Sequence, residues 1–149
     1  MKVVLDTNIL LVAIPFGTPY YPIFDAFLNG AFTLCLTTDI LDEYAEKLHE
    51  KYALRPIVAE KVLKTLENSP DIAHISKFYF WNLITADPDD NKFVDCAVAA
   101  NADFIVSNDR HFQVLKDIAF PPVRVISADD FVEMLTGVRP RKVSSQKER

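Results

Sequence analysis

The chain has few glycines, few cysteines and no long apolar run, and each shortage excludes a class of protein. Three glycines in 149 residues cannot build the glycine-rich loops that cradle nucleotide phosphates. Two cysteines in apolar surroundings predict reduced core thiols rather than a disulfide framework or a zinc site. No run reaches the roughly 18 apolar residues of a membrane-spanning helix. We therefore expect a soluble, cytoplasmic protein without a membrane partner.

Positive charge is also scarce, because 16 lysines and arginines face 21 aspartates and glutamates, for a formal net charge of −5. This balance argues against a protein that coats itself in nucleic acid through overall charge, although it permits a local basic patch. It suits a cluster of acids that hold a metal. Basic residues dominate the C-terminus, and we expect a single domain over residues 1–136 followed by a disordered basic tail over residues 137–149.

Short β-branched or aromatic runs alternate with amphipathic segments of helical period. The runs predict strands at residues 2–5, 32–36, 72–75, 103–107 and 123–127. The amphipathic segments predict helices at residues 8–14, 21–30, 37–52, 56–69, 89–102, 109–115 and 128–135. The alternation predicts an α/β fold with helices on both faces of a parallel sheet, in which the functional site forms at the carboxyl ends of the strands.

Four acids fall at or near that edge of the predicted sheet. Asp6 directly follows the first strand, Asp109 follows the strand at 103–107, and Glu43 lies in the first turn or so of a helix. Asp95 stands in an apolar helix, where a carboxylate is costly unless a cation or several donors meet it. Each acid alone also fits a simpler interpretation: Asp6 and Asp109 as helix caps, Glu43 as an acid favoured by the helix dipole, and Asp95 as a half-exposed side chain.

Taken together, the four acids indicate a metal centre. Clustered carboxylates repel one another, and some of them would bind protons at neutral pH unless a divalent cation joined them. Oxygen ligands without histidine or cysteine favour Mg²⁺ or Mn²⁺ over zinc. A centre of one or two such ions suits the attack of water on a phosphodiester.

Four segments carry a family resemblance. They are "VVLDTNIL" near the N-terminus, "TTDILDEY" at 37–44, "DPDDNKFVDCAVAANADFIVSNDRHF" at 87–112 and "VRVISADDFVEML" at 123–135. Together they resemble the PIN domain family, in the branch of toxin components of prokaryotic toxin–antitoxin pairs. The resemblance implies a three-layer α/β/α fold around a mostly five-stranded parallel sheet. It also implies a metal-dependent ribonuclease that leaves 5′-phosphate and 3′-hydroxyl ends.

Position by position, the resemblance implies roles for particular residues. The residues that match the family's acidic quartet, as catalytic residues and metal ligands, are Asp6, Glu43, Asp95 and Asp109. Asn8 and Ser107 match its polar supporting positions. Asp90 matches a further acid of this branch, which would either support the metal ligands from behind or be an outer metal ligand itself.

RNA also needs a basic approach to such a centre. Lys47, Lys51 and Arg55 would form one stripe if their helix continued that far, and Arg110 flanks Asp109. The same charges fit a solvated helix face balanced by nearby glutamates. The family further implies a small antitoxin as a partner and a homodimer, for which the aromatic segments "PYYPIFDAF" and "KFYFWNLI" offer apolar surface.

Two other functions remain open at this stage. One is a non-catalytic PIN-fold module that holds RNA or a protein without cutting, although an intact acidic quartet favours catalysis. The other is a phosphatase similar to the haloacid dehalogenases, which carry Asp-x-Asp after the first strand. Here Asn8 stands where the second acid would be.

Overall fold

Strands and helices alternate along residues 1–77 and 79–141, the part of the chain that the computed structural model describes. In chain order they are β1 (Lys2–Leu5), α1 (Thr7–Ala13), α2 (Tyr21–Leu28), β2 (Thr33–Leu36), α3 (Thr38–Lys51), α4 (Pro56–Asn68), β3 (Ile72–His74), α5 (Asn91–Ala100), β4 (Phe104–Val106), β5 (Val125–Ile126) and α6 (Ala128–Thr136). Two 3₁₀ helices, Pro88–Asp90 and Arg110–Asp117, precede α5 and β5. The predicted elements are present, except that the helix expected at 109–115 is a 3₁₀ helix.

The five strands form one parallel sheet in the order β3-β2-β1-β4-β5. The central strand is β1, in which Val3 lies opposite Leu34 of β2 on one side and Phe104 of β4 on the other. The chain builds the sheet outward from β1 through β2 and β3, and then crosses back to add β4 and β5. The ends of β1 and β4 therefore border the crevice at which the strand order reverses, where open α/β sheets bind their ligands.

Helices pack on the sheet and on one another to give the three-layer α/β/α arrangement that was expected. Helix α5 contacts β1, β2 and β4, whereas α1 packs on α2 and α3, and α2 packs on α6. A chain of phenylalanine rings ties these layers together: Phe27 to Phe32 at 6.0 Å, Phe32 to Phe131 at 5.2 Å, and Phe131 to Phe104 at 5.6 Å between centroids. Each such buried ring contributes about 1.5–3 kcal/mol of hydrophobic stabilisation.

The C-terminal end of the described chain folds back on α6. Gly137, with φ of 79°, ends this helix in the left-handed conformation that glycine adopts at little cost. Arg139 then donates to Asp130 at 2.8 Å and to Glu133 at 3.2 Å. The disorder that we predict for the basic tail falls largely on residues 142–149, outside the described residues, and the domain boundary at 136 stays a prediction.

None of the helices in residues 1–77 and 79–141 has the length and apolar character needed to cross a bilayer.

Candidate active site

Asp6 places a buried carboxylate at the carboxyl end of the central strand. Its backbone N–H donates to the Val106 carbonyl of β4 at 3.1 Å, which continues the β1–β4 pairing to this residue. Asp6 occupies the N-cap position of α1, yet its side chain makes no capping hydrogen bond. Capping thus does not by itself explain a carboxylate that is only 6% exposed, although the nearby Asn8 N–H lowers its pKa.

Ser107 joins the ends of β1 and β4 through its hydroxyl. This group donates to Asp6 Oδ2 at 2.8 Å and accepts from the Asp109 backbone N–H at 3.0 Å, within a side chain that is fully enclosed. Asn8 lies on the wall of an open pocket of ≈ 260 Å³ whose lining also includes Asp6 and Asp109. The structure thus brings together four of the residues predicted from sequence, namely Asp6, Asn8, Ser107 and Asp109.

Asp109 caps the following 3₁₀ helix and still borders the pocket. Its Oδ1 accepts from the His111 backbone N–H at 2.9 Å. The imidazole of His111 turns back toward the acids, so that its Nδ1 lies 3.3 Å from Asp109 Oδ1 and 3.5 Å from Asp90 Oδ2. The capping interpretation of Asp109 is confirmed, but capping does not remove this carboxylate from the cluster.

Asp90 enters the cluster from the start of α5. It occupies the N-cap position of that helix without a side-chain capping bond. Its Oδ2 atom and Nδ1 of His111 are buried, and neither has a hydrogen-bond partner within the described part of the chain. Asp87 lies nearby, and Asp87, Asp90 and His111 each offer one ligand atom within 4.8 Å of the others.

Glu43 reaches the same edge of the sheet with both carboxylate oxygens engaged. Its Oε1 accepts from Lys92 Nζ at 2.6 Å, and its Oε2 accepts from the Thr7 hydroxyl. Lys92 also lies 3.1 Å from Asp89. Burial lowers the pKa of Lys92, but its bonds to Glu43 and Asp89 outweigh burial and raise that pKa overall. Glu43 therefore holds a charged lysine beside the crevice.

The remaining carboxylates of the crevice lack such pairing, and their pKa values show it. Burial raises the pKa of Asp6, and repulsion from Asp109 and Glu43 adds to burial against the lowering effect of the Ser107 hydrogen bond. Burial, together with Asp87, Asp109 and Asp6, raises the pKa of Asp90 to about 6, against the lowering effect of the neighbouring His111. A divalent cation would remove both penalties. The oxygen donors and the unpartnered Asp90 Oδ2 fit such an ion.

Asp95 does not join these acids. Its Oδ1 accepts from the Trp81 backbone N–H at 3.0 Å, and the charges that act on it are those of Lys77 and Asp39. In an α-helix, five residues separate Asp95 from Asp90 by about 7.5 Å along the axis and about 140° around it. The two side chains therefore face different directions, and the structure puts Asp90, not Asp95, beside Asp6 and Asp109.

The predicted basic stripe does not form. Helix α3 ends at Lys51, and Arg55 is the N-cap residue of α4 instead of a further turn of α3. Lys47 pairs with two glutamates of its own helix at 3.4 and 3.8 Å, and Lys51 Nζ donates to the Leu11 carbonyl at 2.6 Å. Lys47 thus fits the solvated-face alternative. Arg110 is exposed beside Asp109.

Three contributors to the site were missed at the level of sequence: Thr7, Lys92 and Asn91 as a positioning residue. The buried amide of Asn91 accepts from the Ile84 N–H at 2.9 Å and donates to the Ile84 and Pro88 carbonyls at 2.8 and 3.0 Å. It thereby fixes the loop before α5, and with it the direction of Asp90. Only the closeness of Asn91 and Lys92 to Asp90 along the chain hinted at these roles.

Comparison with known proteins identifies the family to which this chain belongs. The model of the PIN domain family matches residues 2–111. No curated protein matches the chain in sequence. One similar solved structure is the crystal structure of VapBC2 from Rickettsia felis bound to a DNA fragment from their promoter, with a TM-score of 0.60 and 19% identity over 85% of this chain and 98% of that chain. At this identity the likeness concerns the fold alone. Because the family match runs from β1 through the whole acidic crevice, the chain belongs to the PIN domain family.

Proposed function

We propose that this protein is a metal-dependent endoribonuclease that hydrolyses phosphodiester bonds of RNA. The observation that carries the proposal is the gathering of Asp6, Asp90 and Asp109 at the reversal point of the sheet. Their carboxylates are largely buried, and few cationic groups among the described residues neutralise them. Ionisable groups held in this way are typical of functional sites. Membership of the PIN domain family supports nuclease chemistry at this position.

In this proposal Asp6, Asp90 and Asp109 would hold one or two ions of Mg²⁺ or Mn²⁺. When bound, such a cation lowers the pKa of water and stabilises negative charge on a phosphate. Ser107 fixes the carboxylate of Asp6 through its hydroxyl and the backbone of Asp109 through the N–H that it accepts. Asn8 offers an amide to the phosphate or to the attacking water from the pocket wall.

Glu43 has a different role in the proposal from the one expected of it as a direct metal ligand. Both of its oxygens are already bonded, to Lys92 and to Thr7. Glu43 therefore positions the Lys92 ammonium at the edge of the crevice, where it would attract the RNA backbone. Arg110, exposed next to Asp109, would add a second cation, whereas Lys51 and Arg55 lie apart from any common stripe.

Partners follow from the family and from the exposed surface. We propose that a small antitoxin binds this protein, which the likeness to the structure of VapBC2 bound to a DNA fragment supports. Tyr79, Phe80 and Phe120 are 72%, 69% and 76% exposed, which is apolar surface that a homodimer would bury. A cytoplasmic location suits these proposals.

Cleavage of a labelled, unstructured RNA tests the nuclease directly. Wild-type protein with Mn²⁺ or Mg²⁺ should cut the RNA, and EDTA should stop it. Asp6→Asn should abolish cutting while it keeps the circular dichroism spectrum of the fold. Asp25→Asn, on the exposed side of α2, is the matched control and should cut like wild type.

Two results would reject the proposal. The first is full metal-dependent activity in Asp6→Asn. The second is no cutting of several RNAs by folded, metal-loaded wild type; if those RNAs are nevertheless bound, the non-catalytic binding module becomes the better description.

A further inference from the structure

We propose that His111 supplies a nitrogen ligand to the metal centre, beside oxygen ligands from Asp87 and Asp90. This site would take a first-row transition ion such as Mn²⁺ in preference to Mg²⁺. The inference rests on the proposed function for its setting, but it makes a separate claim about a ligand. The centre expected from sequence contained only oxygen donors.

The three ligand atoms converge from two separate parts of the chain. Asp87 and Asp90 stand at the two ends of the 3₁₀ turn before α5, and His111 belongs to the 3₁₀ helix after β4. One oxygen of each aspartate and one ring nitrogen of the histidine lie within 4.8 Å of one another. Ligands about 2.1 Å from a shared ion lie up to roughly 4.2 Å apart, so small side-chain rotations would complete the site.

Two of these atoms face each other at a separation longer than a normal hydrogen bond. Asp90 Oδ2 and His111 Nδ1 are buried and have no hydrogen-bond partner among the described residues. A buried polar atom left in this state destabilises the folded protein. Because the two atoms lie 3.5 Å apart, one ion between them would satisfy both at once.

The competing arrangement is an ion pair between a protonated His111 and its acidic neighbours. Charge-assisted bonds between nitrogen and a carboxylate are normally about 2.7–2.9 Å long. The separations of Nδ1 are 3.5 Å from Asp90 and 3.3 Å from Asp109, and that Asp109 oxygen already accepts the His111 backbone N–H. Both separations exceed those of a charge-assisted bond, so the geometry leaves Nδ1 and Asp90 Oδ2 placed to share one ion.

The chemistry of imidazole gives the metal preference. Neutral histidine can carry its proton on Nε2 and coordinate through Nδ1. Mg²⁺ prefers oxygen ligands and retains its waters, whereas nitrogen donors increase affinity for first-row transition ions. His111 would therefore discriminate between two ions that carboxylates alone bind similarly.

Pulsed electron paramagnetic resonance of the Mn²⁺-loaded full chain tests the ligand itself. A directly bound imidazole should give nitrogen modulation of the Mn²⁺ signal in wild type. His111→Ala should remove this modulation. His49→Ala, at an exposed position of α3, should keep it and serves as the matched control, since the chain has three histidines in all.

Calorimetric titration tests the preference. His111→Ala should weaken Mn²⁺ binding by at least about tenfold, as removal of metal-site groups commonly does, and should weaken Mg²⁺ binding less than about threefold. Mn²⁺-loaded wild type without nitrogen modulation, wild type that binds no Mn²⁺, or an equal change for both ions would overturn the inference. If His111→Ala does not fold, the spectra of wild type, His49→Ala and His74→Ala still decide it.

The outcome is separable from that of the nuclease assay. Nitrogen-coupled Mn²⁺ in a protein that cuts no RNA would keep the metal site and reject the nuclease. RNA cleavage without nitrogen coupling would keep the nuclease and reject His111 as a ligand.

Discussion

Two polar clusters lie at the same edge of the sheet, and they differ in how completely their carboxylates are paired with donors. The acidic crevice, at the ends of β1 and β4, gathers Asp6, Asp90 and Asp109. The second cluster, which we call the Lys77 cluster, lies beyond β2 and β3 and contains Thr37, Asp39, Lys77, Trp81 and Asp95. In the Lys77 cluster each carboxylate has its own donor: Lys77 Nζ lies 2.6 Å from Asp39, and the Trp81 N–H donates to Asp95 at 3.0 Å.

The pKa values of Asp39 and Asp90 record this difference, whereas burial raises the pKa of Asp95 despite its backbone hydrogen bond. Burial raises the pKa of Asp39, but hydrogen bonds from Lys77 and Thr37 outweigh burial and lower it overall. Burial and three neighbouring acids raise the pKa of Asp90 to about 6. A buried aspartate by itself is therefore a poor marker of a functional site. The marker is a carboxylate whose pairing the protein leaves incomplete.

The comparison predicts its largest effect in activity. Asp90→Asn should reduce metal-dependent RNA cleavage at least about a hundredfold, because it removes a charge that would bind the cation. Asp95→Asn should keep cleavage within a few fold of wild type, since asparagine still accepts the Trp81 N–H. Initial rates on one labelled RNA measure both variants. Greater loss in Asp95→Asn than in Asp90→Asn would restore the assignment made from sequence.

Asp90→Asn should lower activity in the presence of the metal, but in the metal-free protein it should increase the stability of the fold. A carboxyl whose pKa is raised from 3.8 to about 6 on folding destabilises the folded state once the pH exceeds its ordinary pKa. Two pKa units correspond to about 3 kcal/mol, which solvent screening reduces to about 1–2 kcal/mol. Asp90→Asn in EDTA should therefore gain about 1–2 kcal/mol of unfolding free energy at pH 7.5. The gain should fade as the pH approaches 4.

Urea denaturation at several pH values measures this gain. Asp25→Asn, which changes an exposed aspartate, should show no comparable trend with pH. A destabilised Asp90→Asn in EDTA at pH 7.5 would show that this carboxylate is better paired than its surroundings indicate.

The Lys77 cluster should show the opposite dependence on pH. Lys77→Met leaves Asp39 without its cation, and because Asp39 is 44% exposed the cost should be about 1 kcal/mol. The pKa of Asp39 is lowered on folding, so its contribution is present above its ordinary pKa and is lost as the pH falls through the folded value. The difference between wild type and Lys77→Met should thus be seen at pH 7 and shrink below pH 4 in urea denaturation. A difference that grows in acid would contradict this pairing.

The smallest effect belongs to an ion pair in solvent. Lys47 and Glu50 lie 3.4 Å apart with both side chains well exposed. Such pairs contribute little to stability. Lys47→Ala should leave the free energy of unfolding almost unchanged, measured beside Lys77→Met under identical conditions. A loss equal to that of Lys77→Met would mean that burial does not separate the two pairs.

The sequence alone determined the fold class of this protein. Apolar runs of strand length alternate with amphipathic helices, and this local pattern is sufficient for a parallel α/β sheet because it depends on residues a few positions apart. It also predicted that Asp6 and Asp109 lie at one edge of the sheet, since each directly follows a strand and parallel strands share one carboxyl edge. The family resemblance and the parallel sheet are both confirmed.

Only the tertiary structure decided which side chains meet. Asp6 and Ser107 are 101 residues apart, and Glu43 and Lys92 are 49 apart, so no local pattern could pair them. Whether Asp90 or Asp95 faces the crevice depends on where α5 begins. The hydrogen bonds of Asn91 to Ile84 and Pro88 fix that start. A helix rotates each successive side chain by about 100°. A carboxylate five residues away therefore faces a different surface, although both residues are aspartates at or within the same helix.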